Sequence, residues 1–167
     1  MLRIGEGFTG AGAHSAHVSL LLGSNAVLGN AFALAAASPR PGHIPFQVVL
    51  RPNVAAKPAT LFIAKSVLRD AHHERMTWGP AQAGVAAGIT RALLEGVLPV
   101  EAESGWLAIA LVWVDAAATD AELLYVNNAT ATHLAATRAL AVDQPTRAEL
   151  AAALSSIGNP YFTPGAR

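Results

Sequence analysis

The chain has 167 residues, and its eleven basic and eleven acidic residues give a formal net charge of zero, with 53% hydrophobic and 13% charged residues. That balance argues against nucleic acid or an anionic membrane surface as a partner, and the apolar content is far from a disordered composition. The absence of cysteine removes disulfides, thiolate chemistry and cysteine-based zinc sites together. The length fits one domain, residues 1–167, with a full core, and so little charge predicts apolar surface covered by further subunits. Met1-Leu2-Arg3-Ile4-Gly5 has no apolar signal core, and the longest apolar run, Trp106–Val114, is too short to span a bilayer. The expectation is a soluble, cytoplasmic protein.

In chain order, residues 2–9 read as a first strand. Ala16–Leu22 reads as a second, with His17, Ser19 and Leu21 on one face and Val18, Leu20 and Leu22 on the other. Asn25 is placed to cap a helix over about 26–37, which Pro39 and Pro41 end. Ile44–Arg51 and Thr60–Leu68 read as two further strands. Gly79-Pro80-Ala81-Gln82 reads as a helix start, since proline suits the first helical position, and Val85, Ile89, Ala92 and Leu93 form the buried stripe. Gly96 and Pro99 stop it. Trp106–Val114 is apolar throughout, as in a strand covered on both faces. Thr119 or Asp120 starts a helix of about twenty residues ending near Leu140. Thr146 and Glu149 fit a capping box for a last short helix, and an extended tail follows from about residue 157. Strand clusters mixed with long helices predict an α/β (α+β) two-layer sandwich of a mixed sheet and helices.

Two motifs point away from chemistry. Gly5-Glu6-Gly7-Phe8-Thr9-Gly10 matches the dinucleotide pattern, but only four residues precede it and a strand follows where a helix N-terminus is required. The six histidines do not converge as a metal set. His14 and His17 point to opposite faces of a strand, His72-His73 fall in a turn, and His133 has no histidine or carboxylate three or four residues away. No metal is expected.

Four positions carry polar chemistry in apolar settings. His17 lies in an otherwise apolar strand, either as a buried structural histidine or as a proton donor. Lys65 interrupts the hydrophobic run Thr60–Leu68, in a chain with two lysines against nine arginines; it either snorkels at a sheet margin or binds. Gln82 sits in the first turn of its expected helix, either capping its own backbone or reading the edge of an amide-like heterocycle. Asn128 interrupts the helical line of Leu124, Ala131 and Ala135, hinting at a buried polar contact.

Gly5-Glu6, Gly10-Ala11-Gly12 and Ala16-His17-Val18 resemble the N-terminal signature of the formaldehyde-activating enzymes. Arg51-Pro52-Asn53, Lys57-Pro58-Ala59-Thr60-Leu61, Lys65, Gly79-Pro80-Ala81-Gln82 and Glu95-Gly96-Val97-Leu98-Pro99 continue the likeness in consistent order to about residue 142. The resemblance implies a ribosomal-protein-like fold assembled as a homopentamer with clefts between subunits. It also implies a lyase of one-carbon metabolism, condensing formaldehyde with tetrahydromethanopterin (or its dephospho form) as co-substrate, with no metal. His17 matches the family's proton donor, and Lys65 and Gln82 match pterin-contacting positions. Three further contact positions differ: Ser19 stands where the family has aspartate, Val67 where it has threonine, and Gln47 where it has leucine. Asn127 and Ala129 replace aromatic residues. These departures mark a diverged member, with a non-catalytic pterin-binding or formaldehyde-sensing paralogue as the alternative.

Overall fold

A computed structural model describes residues 1–141, 145–158 and 164–165, so most of the expected extended tail lies outside the described residues. The first strand, β1 (Arg3–Thr9), runs into β2 (Ala16–Ser24) and then α1 (Asn25–Ala37). Short strands β3 (Phe46–Gln47), β4 (Val49–Arg51) and β5 (Val54–Ala55) precede β6 (Ala59–Ala64). Helices α2 (Ala71–Met76), α3 (Gln82–Leu94) and α4 (Ala102–Gly105) lead to β7 (Trp106–Trp113), α5 (Ala121–Leu140) and α6 (Arg147–Leu154).

The sheet has the order β1-β2-β7-β6-β3, antiparallel except for the parallel β6–β7 pair, and β4 and β5 form a separate hairpin. This is the mixed α/β architecture expected. Alternation along β2 divides the sheet as its pattern predicts: Val18, Leu20 and Leu22 are fully buried. Their partners Val112, Ala110 and Ala108 on β7 continue that closed face. Helices α3 and α5 cover it, supplying Val85, Ile89, Leu124, Ala131 and Ala135 to the core. A fully buried valine or leucine contributes roughly 1.5–3 kcal/mol.

Two glycines let α5 lie directly on β1. A Cβ on Gly5 would fall 2.0 Å from the Ala135 carbonyl oxygen, and one on Gly7 only 1.9 Å from that of Ala131. The glycine-rich segment that imitates a nucleotide loop is therefore a packing surface. At one end of the opposite face α1 covers the sheet, with Val27 and Leu28 over Gly23.

Several boundaries differ from those expected. Ser24, not Asn25, occupies the N-cap of α1, and Asn25 is its first helical residue. The run Ile44–Arg51 breaks at Val48, whose N–H bonds to the Thr60 carbonyl while its own carbonyl accepts from Ala56. Strand β6 stops at Ala64, although the Lys65 N–H still reaches the Val112 carbonyl at 2.8 Å. The largest difference concerns Gly79-Pro80. Helical structure begins at Ala71, where the Asp70 carboxylate accepts from the His73 N–H, so His72 and His73 lie on a helix rather than in a turn. Residues Thr77–Ala81 form a wide π turn with Pro80 inside it, and the Gln82 N–H bonds back to the Thr77 carbonyl. The wider turn accommodates a residue that lacks an N–H and would clash in a regular helix. No open helix N-terminus therefore exists at Gly79. Helices α5 and α6 begin as expected, capped by Asp120 and by the Thr146–Glu149 box.

Candidate active site

The face of the sheet away from α3 and α5 carries the alternate residues of the same strands. Because Gly5 and Gly7 face inward, Glu6 and Phe8 face outward from β1. The register sets Glu6 opposite Ser19 and Phe8 opposite His17. On the other side of β2, Ser19 lies opposite Leu111 and His17 opposite Trp113. Lys65, just past β6, reaches over the β7 row, and its ammonium donates to the Ser19 hydroxyl at 2.8 Å. His17 Nε2 pairs with a Glu6 carboxylate oxygen, the imidazole being 22% exposed and Glu6 62%. The Phe8 ring stands edge-on to the imidazole with centroids 6.2 Å apart. Next to them Phe8, Trp113, Asp115 and the Gly10–Gly12 turn line a cavity of about 610 Å³.

The electrostatics of this row are mutual. The hydrogen bond from His17 holds the Glu6 carboxyl below its ordinary value of 4.5, helped by the charges of His17 and Lys65 and by the Ser19 hydroxyl. Burial pushes the Lys65 ammonium below its ordinary value, with the Glu6 charge opposing that shift. The row thus offers a carboxylate, an imidazole, a hydroxyl and a half-buried ammonium within one continuous set of contacts. Together these groups can donate and accept hydrogen bonds to a bound molecule.

The other expected contact residues lie elsewhere in the chain. Gln47 and Gln82 line a second hollow of about 280 Å³ at the β3 edge with Trp78, Phe46, Ile44 and Val49. There the Gln82 carboxamide oxygen accepts from the Val49 N–H at 2.7 Å, so this side chain ties α3 to the β4 strand rather than capping its own helix. Strand β3 lies three positions from β2 in the sheet, roughly 14 Å at ordinary strand spacing. Val67 is 58% exposed beyond β6 and lies over Gly42. Asn128 is fully buried, and its amide donates to the Leu124 carbonyl of its own helix at 2.9 Å.

The remaining histidines have structural partners, His43 through its Nδ1 and the Ala64 carbonyl at 2.9 Å. His14 lies in a short turn before β2, not in a strand, and its Nε2 accepts from the Thr119 and Asp120 N–H groups at 3.1 and 2.9 Å. His72 and His73 donate to the Ala118 and Val114 carbonyls. His133 pairs with Glu95, the residue that follows α3, at 2.8 Å. Among the described residues, no three metal-ligating side chains come together. Glu6, Phe8 and Trp113 belong to the His17 row without having been singled out as site residues; strict alternation through Gly5-Glu6-Gly7-Phe8 was the signal for the first two.

Comparison with known proteins places the chain in a family. The family described as formaldehyde-activating enzyme (Fae) matches residues 4–162. A 5,6,7,8-tetrahydromethanopterin hydro-lyase of Methanosarcina barkeri is 35% identical over 159 residues, 95% of this chain and 89% of that protein. Proteins named bifunctional enzyme Fae/Hps from Archaeoglobus fulgidus and Methanoregula boonei are 38% and 41% identical over 139 and 141 residues. These matches cover 83% and 84% of this chain but 35% and 36% of the bifunctional proteins, so the chain spans about a third of their length. The match takes in every strand of the sheet and the whole Glu6–His17–Ser19–Lys65 row, and with that extent and identity the chain belongs to the formaldehyde-activating enzyme family.

Proposed function

We propose that this protein condenses formaldehyde with tetrahydromethanopterin, giving methylene-tetrahydromethanopterin and water, with His17 as the general acid. One observation carries the reading: Lys65, from beyond β6, reaches Ser19 on β2, two residues from His17 on the same open face, beside a cavity. A ring amine of the reduced pterin adds to formaldehyde, giving a carbinolamine. Its hydroxyl is a poor leaving group until protonated. The imidazolium of His17 supplies that proton, water departs, and the second pterin amine closes on the resulting iminium and returns its own proton to the imidazole. A positioned acid of this kind contributes about a hundred- to ten-thousandfold. Lys65 and Ser19 supply a donor and a donor–acceptor pair to the pterin.

Gln47 and Gln82 form the second half of the substrate cleft, joined to the His17 row of a neighbouring copy in a homopentamer, and Val67 borders that cleft. The support is the apolar surface left on one chain: Leu34, Leu50, Trp78, Leu94, Val100 and Val126 are all exposed. Sedimentation or native mass measurement tests the assembly, with five copies expected and a monomer contradicting it. No described helix is long and apolar enough to cross a membrane, and the reaction belongs in the cytoplasm. The full or the dephospho pterin serves as co-substrate.

A stopped-flow comparison of condensation with and without protein, using tetrahydromethanopterin and tetrahydrofolate in parallel, tests the activity. Acceleration with the first that disappears in His17→Ala is expected; a rate equal to the spontaneous one overturns it. A second reading, pterin binding without turnover, draws on the internal pairing of Lys65 with Ser19 and of Gln82 with the Val49 N–H. It predicts a raised melting temperature with pterin and no rate effect.

A further inference from the structure

We infer that Glu6 is the positioning residue for His17: its carboxylate holds the Nε2 hydrogen, so the proton that His17 gives and takes is the one on Nδ1. The inference rests on the condensation reading and adds to it a residue to which that reading gives no role. Glu6 Oε1 meets His17 Nε2. A carboxylate has lone pairs and no hydrogen to offer, so Nε2 is the donor in this pair whether the ring is neutral or cationic. Any change of protonation is thereby assigned to Nδ1, and the ring plane is fixed between Glu6 and the edge-on Phe8.

The surroundings keep Glu6 ionised for this task. Its carboxyl lies below the ordinary range, chiefly through the His17 hydrogen bond, so it remains an acceptor throughout the neutral range. Among the described residues, charged groups near the imidazole include Glu6 from β1, Lys65 reaching Ser19 from beyond β6, and Asp115 past β7, which lines the adjoining cavity. β7 itself presents the neutral Trp113 opposite His17. Ser19 is the cross-strand partner of Glu6 and shares a face with His17. A carboxylate placed on residue 19 would face the same imidazole from its own strand.

The test combines kinetics with a measurement that needs no turnover. In Glu6→Gln, kcat should fall about ten- to a hundredfold, as when a carboxylate that orients a working histidine is lost, with KM for both substrates little changed. Ser19→Asp in the Glu6→Gln background should restore much of kcat, and Glu6→Asp should lie between. Ring-nitrogen NMR of 15N-histidine-labelled protein, with His17 assigned by its loss in His17→Ala, should show neutral His17 protonated on Nε2. In Glu6→Gln that preference should relax, because a carboxamide both donates and accepts. An unchanged kcat, or a fallen kcat with an unchanged ring pattern and no rescue, overturns the inference. So does loss of the Nε2 preference in Asp115→Asn but not in Glu6→Gln. If the native protein gives no acceleration, the condensation reading fails, and the ring pattern alone decides whether Glu6 holds His17. Glu6 is 62% exposed, so these variants keep the fold.

Discussion

The two faces of the sheet are built from alternate residues of the same strands and differ in almost every property. The closed face, from Gly5 and Gly7 through Val18, Leu20 and Leu22 to Ala110 and Phe62, has no charged group, and its small residues set how closely α5 approaches. The open face carries Glu6 paired with His17 and Lys65 bonded to Ser19, flanked by half-buried Phe8 and Trp113. A period of two is what allows this: a slip of one residue would exchange the faces wholesale, so burial of the closed face fixes the register of the chemical one. Stability and chemistry are thus assigned to interleaved residues. Substitutions on one face should leave the property of the other nearly intact.

The largest expected effect tests the open face. His17→Ala should cost roughly a hundred- to ten-thousandfold in kcat, while the melting temperature stays near that of the native protein. A large loss of melting temperature would show that the two faces are not separable. The next tests the closed face. Gly7→Ala puts a methyl group where only 1.9 Å separates the Cβ position from the Ala131 carbonyl oxygen. Overpacking of this kind costs about 1–3 kcal/mol, measurable by denaturant unfolding, and the folded fraction should retain its kcat. A Gly7→Ala protein of undiminished stability would mean that α5 shifts away from β1 without cost.

The closed face was the more legible of the two in the sequence. Val18, Leu20 and Leu22 declared it by alternation, and Asp120, Thr146 and Glu149 declared two helix starts through cap chemistry that depends only on neighbouring residues. Misreadings arose where long-range structure overrode a local signal. Pro80 looked like a helix start because a π turn, invisible in residue types, accommodates it within continuing helix. Val48 sat unremarked in an apolar run because its carbonyl turns to a different partner, Ala56. On the open face, His17 and Lys65 stood out as polar residues in apolar strands. Glu6 did not, since it was read only as part of a first strand, and which of its faces is closed shows only once α5 is seen lying on both glycines. The relation of Gln47 and Gln82 to His17 could not be read at all, because residues on distant strands are related through packing rather than spacing.

A smaller effect is expected where the open face strains against burial. Burial lowers the affinity of Lys65 for its proton, so the native state binds that proton less tightly than the unfolded chain does. The cost is fully present at neutral pH and is relieved as pH rises past the lowered value toward the ordinary lysine value of 10.5. Lys65→Met keeps the apolar stem and removes the charge. Its melting temperature should exceed that of the native protein at pH 7, by a margin that narrows toward pH 10 (about the lysine range), while KM for the pterin rises about tenfold, as for loss of one charged hydrogen bond. Equal melting temperatures at both pH values would remove the desolvation argument.

The smallest effect concerns Glu6 and has the opposite sign. Its folded-state value is depressed below 4.5 by the His17 hydrogen bond, so its contribution to stability is complete above 4.5 and is lost as pH falls through the lowered value. The difference in melting temperature between native protein and Glu6→Gln should therefore shrink as pH falls through that lowered value. With Glu6 62% exposed, solvent screens most of the pair's attraction, and the difference should be small. A large difference would show that the row bearing the chemistry also holds the sheet together.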